Sequence, residues 1–311
     1  MHTCWAELVP DDRSVILIEN GDAFNIGKEE NIPGLRSNQE ETDSRVVLYC
    51  IYAAEQGYQY ARVRSPDSDI FWILMYHARK IDIIILFDTG YGNKRRLINI
   101  TNISKHYTEE MCEAMLALHA ITGCDSVSSF KGIGKIKPLK LLLKSPSHCN
   151  ALNRLGDSWN VDDDLVTGCE KFTCALYGKP KLESIDEVRY LMLKSKCDGD
   201  ISVDNLSSST IDLARLPPSR ACLREHVARA NYQTRIWKMA NVALCEIPKP
   251  WEGHGWKENG EPFWCADEMI LPEQLIDVLE RDAAELEKSD DETGEQEYGI
   301  DSDTNSSSDE E

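Results

Sequence analysis

The chain has 311 residues, of which 41% are apolar and 28% charged, and its formal net charge is −20. Residues 280–311 carry fourteen acids against two bases and residues 1–279 carry 40 acids against 32 bases, so the acidity is concentrated in a tail and does not by itself exclude a nucleic-acid partner. The longest apolar runs, residues 71–76 and 83–87, are far too short to span a membrane, no secretory signal opens the chain, and eleven scattered cysteines without a Cys-x-x-Cys pair argue against a disulfide frame.

In chain order, residues 14–19 predict a short buried strand. Residues 38–56 place Val46, Val47, Cys50, Ile51 and Ala54 at a helical period. Residues 59–64 predict a strand, and Ser65-Pro66 starts a helix to about Arg79. Residues 83–87 predict a second buried strand, 88–93 a turn, and 95–100 its hairpin partner. A helix follows over about 108–122. This order favours an α/β core with a largely parallel sheet. Beyond Asp125 the pattern turns helical, at 138–144, 182–196 and 219–239. Residues 197–214 read as a polar loop and 246–267 as irregular. The predicted organisation is an α/β core over 10–145, a helical and irregular region over 146–280, and a tail over 281–311 too polar to order itself.

Three acidic groups fall where βα units deliver them to one sheet edge: Glu41 with Asp43, Asp67 with Asp69, and Asp125. Ligands of open α/β sheets bind outside the carboxyl ends of the strands. Carboxylates gathered there favour Mg²⁺ or Mn²⁺. Two such ions, roughly 3.5–4 Å apart, stabilise the attacking and leaving oxygens of a phosphodiester. Each group also has a plainer reading as a helix cap: Ser37 and Asn38 with Glu40 and Glu41 in capping boxes, Ser65 with a proline at N1, Asp125 at the next turn.

The segment after Asp125 tilts the balance toward a ligand. Lys131, Gly132, Gly134, Lys135 and Lys137 lie in a turn between two helices, in a lysine-rich stretch without acids. Glycines there let backbone amides approach a phosphate.

Taken together, Glu41-Thr-Asp43, Ser65-Pro-Asp67-Ser-Asp69, and Gly123-Cys-Asp125 leading to Lys131-Gly-Ile-Gly-Lys135 resemble the flap endonuclease branch of the PIN-like nucleases. Longer runs, including Leu118-His-Ala-Ile-Thr-Gly-Cys-Asp125, are similar to uncharacterised PIN-like proteins associated with mobile elements in animal genomes. The resemblance implies a three-layer PIN-like core with a helix–two-turn–helix at its end. It implies Glu41, Asp43, Asp67, Asp69 and Asp125 as metal ligands for Mg²⁺ or Mn²⁺, with Asp67 and Asp69 as the catalytic pair. It places Lys131, Gly132, Gly134, Lys135 and Lys137 on DNA phosphates, with K⁺ at the turn. Family members also carry acids upstream of the Glu-x-Asp segment. Asp22 is the nearest candidate here, and the expectation is that the family's N-terminal part is lacking.

The expected function is thus a structure-selective, metal-dependent nuclease, nuclear or cytoplasmic, with no membrane partner. An inactive nucleic-acid-binding or scaffold protein on the same fold is the alternative. A remote third reading is an aspartic protease site at Asp88-Thr-Gly90, which would need a second such carboxylate. Arg215, Arg220, Arg224, Arg229, Arg235 and Lys238 could follow a nucleic-acid backbone or form a surface helix. His226, His254 and Cys265 lack zinc spacing, and Trp237, Trp251, Trp256 and Trp264 read as core or loop anchors.

Overall fold

The computed structural model describes residues 9–10, 13–26, 30–196 and 212–263. The acidic tail, Cys265, Trp264 and most of the expected loop at 197–214 lie outside the described residues. Residues up to Arg189 and from Asp212 form one compact unit, which holds every site residue named below; residues from Tyr190 to Lys196 belong to a second.

The chain opens on an antiparallel sheet of β1 (Ile16–Glu19), β2 (Asp22–Asn25) and β3 (Glu30–Asn31). Asn20 and Gly21 both have positive φ, 52° and 88°, which is the backbone a two-residue hairpin turn needs. Only the first of these strands was expected from the sequence.

Helix α1 (Thr42–Glu55) then leads to β4 (Tyr60–Arg64), α2 (Ser68–His77) and β5 (Ile84–Thr89). β4 and β5 pair in parallel, as their helical crossover requires. β6 (Arg96–Asn99) follows β5 through a tight turn, and a tight turn can join only antiparallel neighbours. At Gly90 in that turn φ is +79°, and a Cβ would lie 2.5 Å from the Lys94 carbonyl oxygen. The expectation of a largely parallel sheet is therefore corrected: among the described residues, the second sheet has the order β4-β5-β6, with one parallel and one antiparallel pair. The mixed α/β class stands.

Helices follow: α3 (Ile100–His106), α4 (Glu109–Ile121), α5 (Ile136–Leu142), α6 (Pro146–Asn153), α7 (Asp163–Leu176), α8 (Ile185–Lys194) and α9 (Arg220–Lys238). α4 is buried on all sides from Ala114 to Ile121 and packs against α2, α6 and α9. An apolar helix without a polar stripe belongs in the centre. Ile73 and Leu74 of α2, Ile85 and Phe87 of β5, and Leu223, Val227 and Trp237 of α9 complete this core.

The cations of α9 do not form a free basic face. Arg229 is buried and donates to the Gly255 carbonyl, Lys238 is buried and reaches Asn153 O and Asp157, and Arg224 pairs with Asp163. Arg229 and Lys238 thus tie α9 to its neighbours, while Arg220 and Arg224 stay about half exposed and pair with Glu170 and Asp163, so most of this stretch is already committed within the chain. Gly156 shows how closely α9 is approached: φ is +79° and a Cβ would lie 2.8 Å from Arg235 N and 2.9 Å from Thr234 C. Gly156→Ala is expected to destabilise by about 3 kcal/mol through strain and overpacking, lowering Tm by roughly 6–12 °C. Gly178→Ala, with φ +80° but open space around it, is the control in the same melting experiment. An equal loss in both would remove the packing argument.

Candidate functional site

The parallel pairing of β4 and β5 sets the carboxyl ends of both strands at one rim, where Ser65 N donates to Asp88 O at 3.2 Å. Ser65 Oγ accepts from Asp67 N at 3.0 Å, and Asp67 caps α2 by accepting from Asp69 N at 2.8 Å. The N-cap of α2 is therefore Asp67, not Ser65, and Ser65-Pro66 forms the turn before it. This cap turns Asp69 inward, where it is 7% exposed.

Two other segments converge on the same rim. Glu41 is the N-cap of α1 but makes no side-chain cap bond, and Asp43 sits in the first turn. The two acids are separated by two positions, and only at a helix start can both reach one point. One oxygen each from Asp43, Asp67 and Asp69 lies within 4.8 Å of the others, close enough for one cation to touch all three.

The electrostatics show the crowding. Burial first, then the charges of Asp67, Asp69 and Asp125, push the Asp43 carboxyl up to about 6. Its hydrogen bond with Asp67 acts in the same direction, because two carboxyls can share such a bond only when one holds a proton. Burial and the charges of Asp43 and Asp69 likewise raise Glu41, opposed by a hydrogen bond from Gln233. Ser126 Oγ donates to Gln233 Oε1 at 2.7 Å, so the residue after Asp125 is linked to Glu41 through one amide. Asp125 is exposed, caps no helix, and shares with Glu41 a cavity of about 540 Å³ walled by Tyr232, Ile236, Trp251 and Trp256. All five acids singled out in the sequence thus face one region, and the two-position, three-segment pattern is what brings them there.

The lysine-rich turn is arranged differently from expectation. Lys135 folds back onto the end of α4: its Nζ donates to His119 O at 2.7 Å, to Thr122 Oγ1 at 3.0 Å and to Gly123 O. These oxygens end α4, so the ammonium caps that helix and faces its negative dipole end. Burial lowers the Lys135 ammonium to about 8, with the neighbouring Cys124 and Asp69 opposing. Lys131 pairs with Asp212 at 3.0 Å, and Lys137 is exposed. At Gly132 and Gly134 a Cβ would meet nothing within 4 Å; Gly132 is needed for its φ of +80° alone. α5 begins only at Ile136 and has seven residues.

Sequence reasoning missed two site residues. His119 Nε2 lies 2.7 Å from Asp69 Oδ1, and the imidazole is stacked between Trp72 and Trp237, 5.7 and 5.8 Å away. Its Nδ1 is buried and has no hydrogen-bond partner among the described residues. The signal was a lone histidine within the apolar run Ala117-Leu-His-Ala-Ile121. The second, Gln233, carried no local signal.

The Asp88-Thr-Gly90 reading does not survive the geometry. Asp88 is 1% exposed and takes bonds from Arg95 (Nε 2.8 Å, Nη2 2.7 Å) and Arg62 (Nε 3.0 Å, Nη2 2.6 Å), with Arg64 Nη1 at 3.4 Å. These guanidiniums hold the carboxyl well below the usual range. A carboxylate fixed in its ionised form is the opposite of one that shares a proton. His226 is also committed, to the Ile121 carbonyl at 2.7 Å, and its burial lowers it to about 4.

No protein-family model matches this chain, and neither the curated proteins nor the solved structures contain a match to it. What fold and site define is therefore a class by chemistry: a mixed α/β chain with a carboxylate cluster at the rim of a strand pair, beside an aromatic-walled cavity.

Proposed function

We propose that this chain is a divalent-metal-dependent phosphodiesterase acting on nucleic acid, DNA in the first place, with Mg²⁺ or Mn²⁺ held by Asp43, Asp67 and Asp69 and flanked by Glu41 and Asp125. The observation that carries the reading is the approach of three carboxylate oxygens to within 4.8 Å from two separate segments. Repulsion among them raises Asp43, and a cation is the usual way such a cluster is relieved. Divalent ions there would supply positive charge to the oxygens of a phosphodiester. The PIN-like resemblance assigns the same five acids to that role.

The residues of the chain divide the work. Asp69 is oriented by His119, Asp67 by its own cap bond, and Glu41 by Gln233. Trp251, 40% exposed, and the half-buried Trp256 offer ring faces and edges against which a base of the bound strand would pack, backed by the buried Tyr232. A second reading, a nucleic-acid-binding protein without cleavage, is favoured by the oxygens that Asp67 and Asp69 already give to a helix cap and to His119.

Mn²⁺ titration of the full chain by calorimetry, followed by cleavage assays on labelled flap and hairpin DNA, separates the readings. Saturable binding lost in Asp67→Ala, with metal-dependent cleavage, is the expected result. Binding without cleavage favours the second reading. No metal binding sinks the proposed centre.

A further inference from the structure

We propose that Arg62, Arg64 and Arg95, gathered on the buried carboxylate of Asp88, form a binding surface for the phosphodiester backbone of a nucleic-acid strand. The proposal deepens the function above and rests on it for the choice of ligand.

The arginines come to one place by register. Arg62 and Arg64 alternate along β4 and project from its exposed face, and Arg64 is the strand partner of Asp88 in β5. Arg95 enters from the turn before β6 and grips Asp88 with two donors. Asp88 is 1% exposed, whereas the arginine side chains are 53%, 51% and 45% exposed. The anion is inside and the cations are outside.

One guanidinium would satisfy a carboxylate bidentately. Three on one acid leave a net positive charge, held rigidly, with N–H donors turned to solvent. A network built only to fasten the hairpin has no use for Arg64, whose bond of 3.4 Å is the weakest of the set. Arg64 instead lies 5.9 Å from the ring centre of Tyr91, and Tyr91 and Tyr60 are 70% and 63% exposed. Fixed guanidiniums beside open aromatic rings suit phosphates and bases together.

The surface adjoins the acid cluster. Asp88 O accepts from Ser65 N, and Ser65 Oγ accepts from Asp67 N. A strand held at the acids would thus continue toward the arginines. A polyanion is repelled by carboxylates, and an adjacent cationic surface offsets that repulsion.

The test is fluorescence anisotropy of a labelled hairpin DNA with the full chain, in EDTA, over a series of salt concentrations. Arg62→Gln/Arg64→Gln leaves the Arg95 fork on Asp88 and is expected to weaken binding at least about tenfold, with a salt slope smaller by about 1–2. Arg62→Lys/Arg64→Lys is expected to keep most of the salt slope and the wild-type Tm. The proposal is overturned by the absence of saturable binding to wild type, by a glutamine pair that binds as wild type does, or by a lysine pair that loses as much as the glutamine pair. The last result would mean that the arginines act through the fold. Because EDTA is present, a protein that binds here but never cleaves keeps this proposal and loses the nuclease reading.

Discussion

Asp69→Asn is expected to lower metal-dependent cleavage by about a thousandfold or more while leaving DNA binding in EDTA within about twofold of wild type. Asparagine is the informative change because the amide oxygen can still accept from His119 Nε2, now 2.7 Å from Asp69 Oδ1. Alanine would leave a buried imidazole with neither nitrogen bonded, since Nδ1 has no partner among the described residues. An unpaired buried group costs about 1–3 kcal/mol, which would mix stability with chemistry. His119→Asn gives the complementary measurement. His119 is a positioning residue, 4% exposed, and removing such a partner is expected to reduce metal affinity or activity about 10- to 100-fold. The order of the two effects is the sensitive point. If Asp69→Asn cleaves at the wild-type rate, Asp69 holds no metal. If His119→Asn is worse than Asp69→Asn at equal Tm, the histidine does more than orient a carboxylate.

How much of this is legible in the sequence depends on where each signal lies. β4, β5 and α4 were readable because alternation, a β-branched run and an apolar helical period are local patterns. α7 has the same kind of pattern, with Leu165, Val166, Cys169, Phe172 and Leu176 buried and Asp162 as its N-cap, inside the region whose pattern is helical but with bounds the sequence does not mark. Gly168 in its interior weakens a helix in isolation, and here a Cβ would meet Ala151 Cβ at 3.0 Å, so tertiary packing favours it. The hairpin of β5 and β6 is legible from the turn at 88–93, and it is this antiparallel pair beside a single parallel one that makes the sheet mixed rather than largely parallel. At the site, the acids were found because they fall on chain breaks near strand and helix ends. Their partners were not. Gln233 is 192 positions from Glu41, and no sequence period connects them. Lys135 looked like a phosphate ligand because its neighbours are basic, while the group that claims it, the carbonyl end of α4, carries no sequence mark. Side-chain chemistry was visible in the sequence, but the backbone's demand for it was not.

Asp43→Asn should raise the stability of the metal-free protein and abolish its tight metal binding, with both effects depending on pH in a defined direction. At pH 7.5 an Asp43 whose carboxyl is pushed up to about 6 is ionised among like charges. Asparagine removes that repulsion. Asp43 is only half-buried, so after solvent screening the gain is about 1 kcal/mol, or roughly 2–4 °C in Tm. A group whose folded pKa is raised stabilises the fold as pH falls toward its unfolded value, because the folded form holds the proton more tightly. The gap between the variant and wild type should therefore close as pH falls through 6. The absolute Tm of both proteins should fall over the same range, because burial lowers His77 and His226 to about 4 and both must be protonated on unfolding. Asp88 acts lower still: its depressed carboxyl stabilises above the unfolded carboxylate range and that contribution is lost only in stronger acid. The difference between the two proteins, not either Tm, isolates Asp43. Metal affinity supplies the second readout. A cation must displace the proton, so Mn²⁺ affinity of wild type should be nearly flat above pH 7 and fall about tenfold per unit below 6 for one proton displaced. A gap in Tm that persists unchanged at pH 5, or a Mn²⁺ affinity indifferent to pH between 5 and 7, would show that Asp43 does not titrate within a metal-holding cluster.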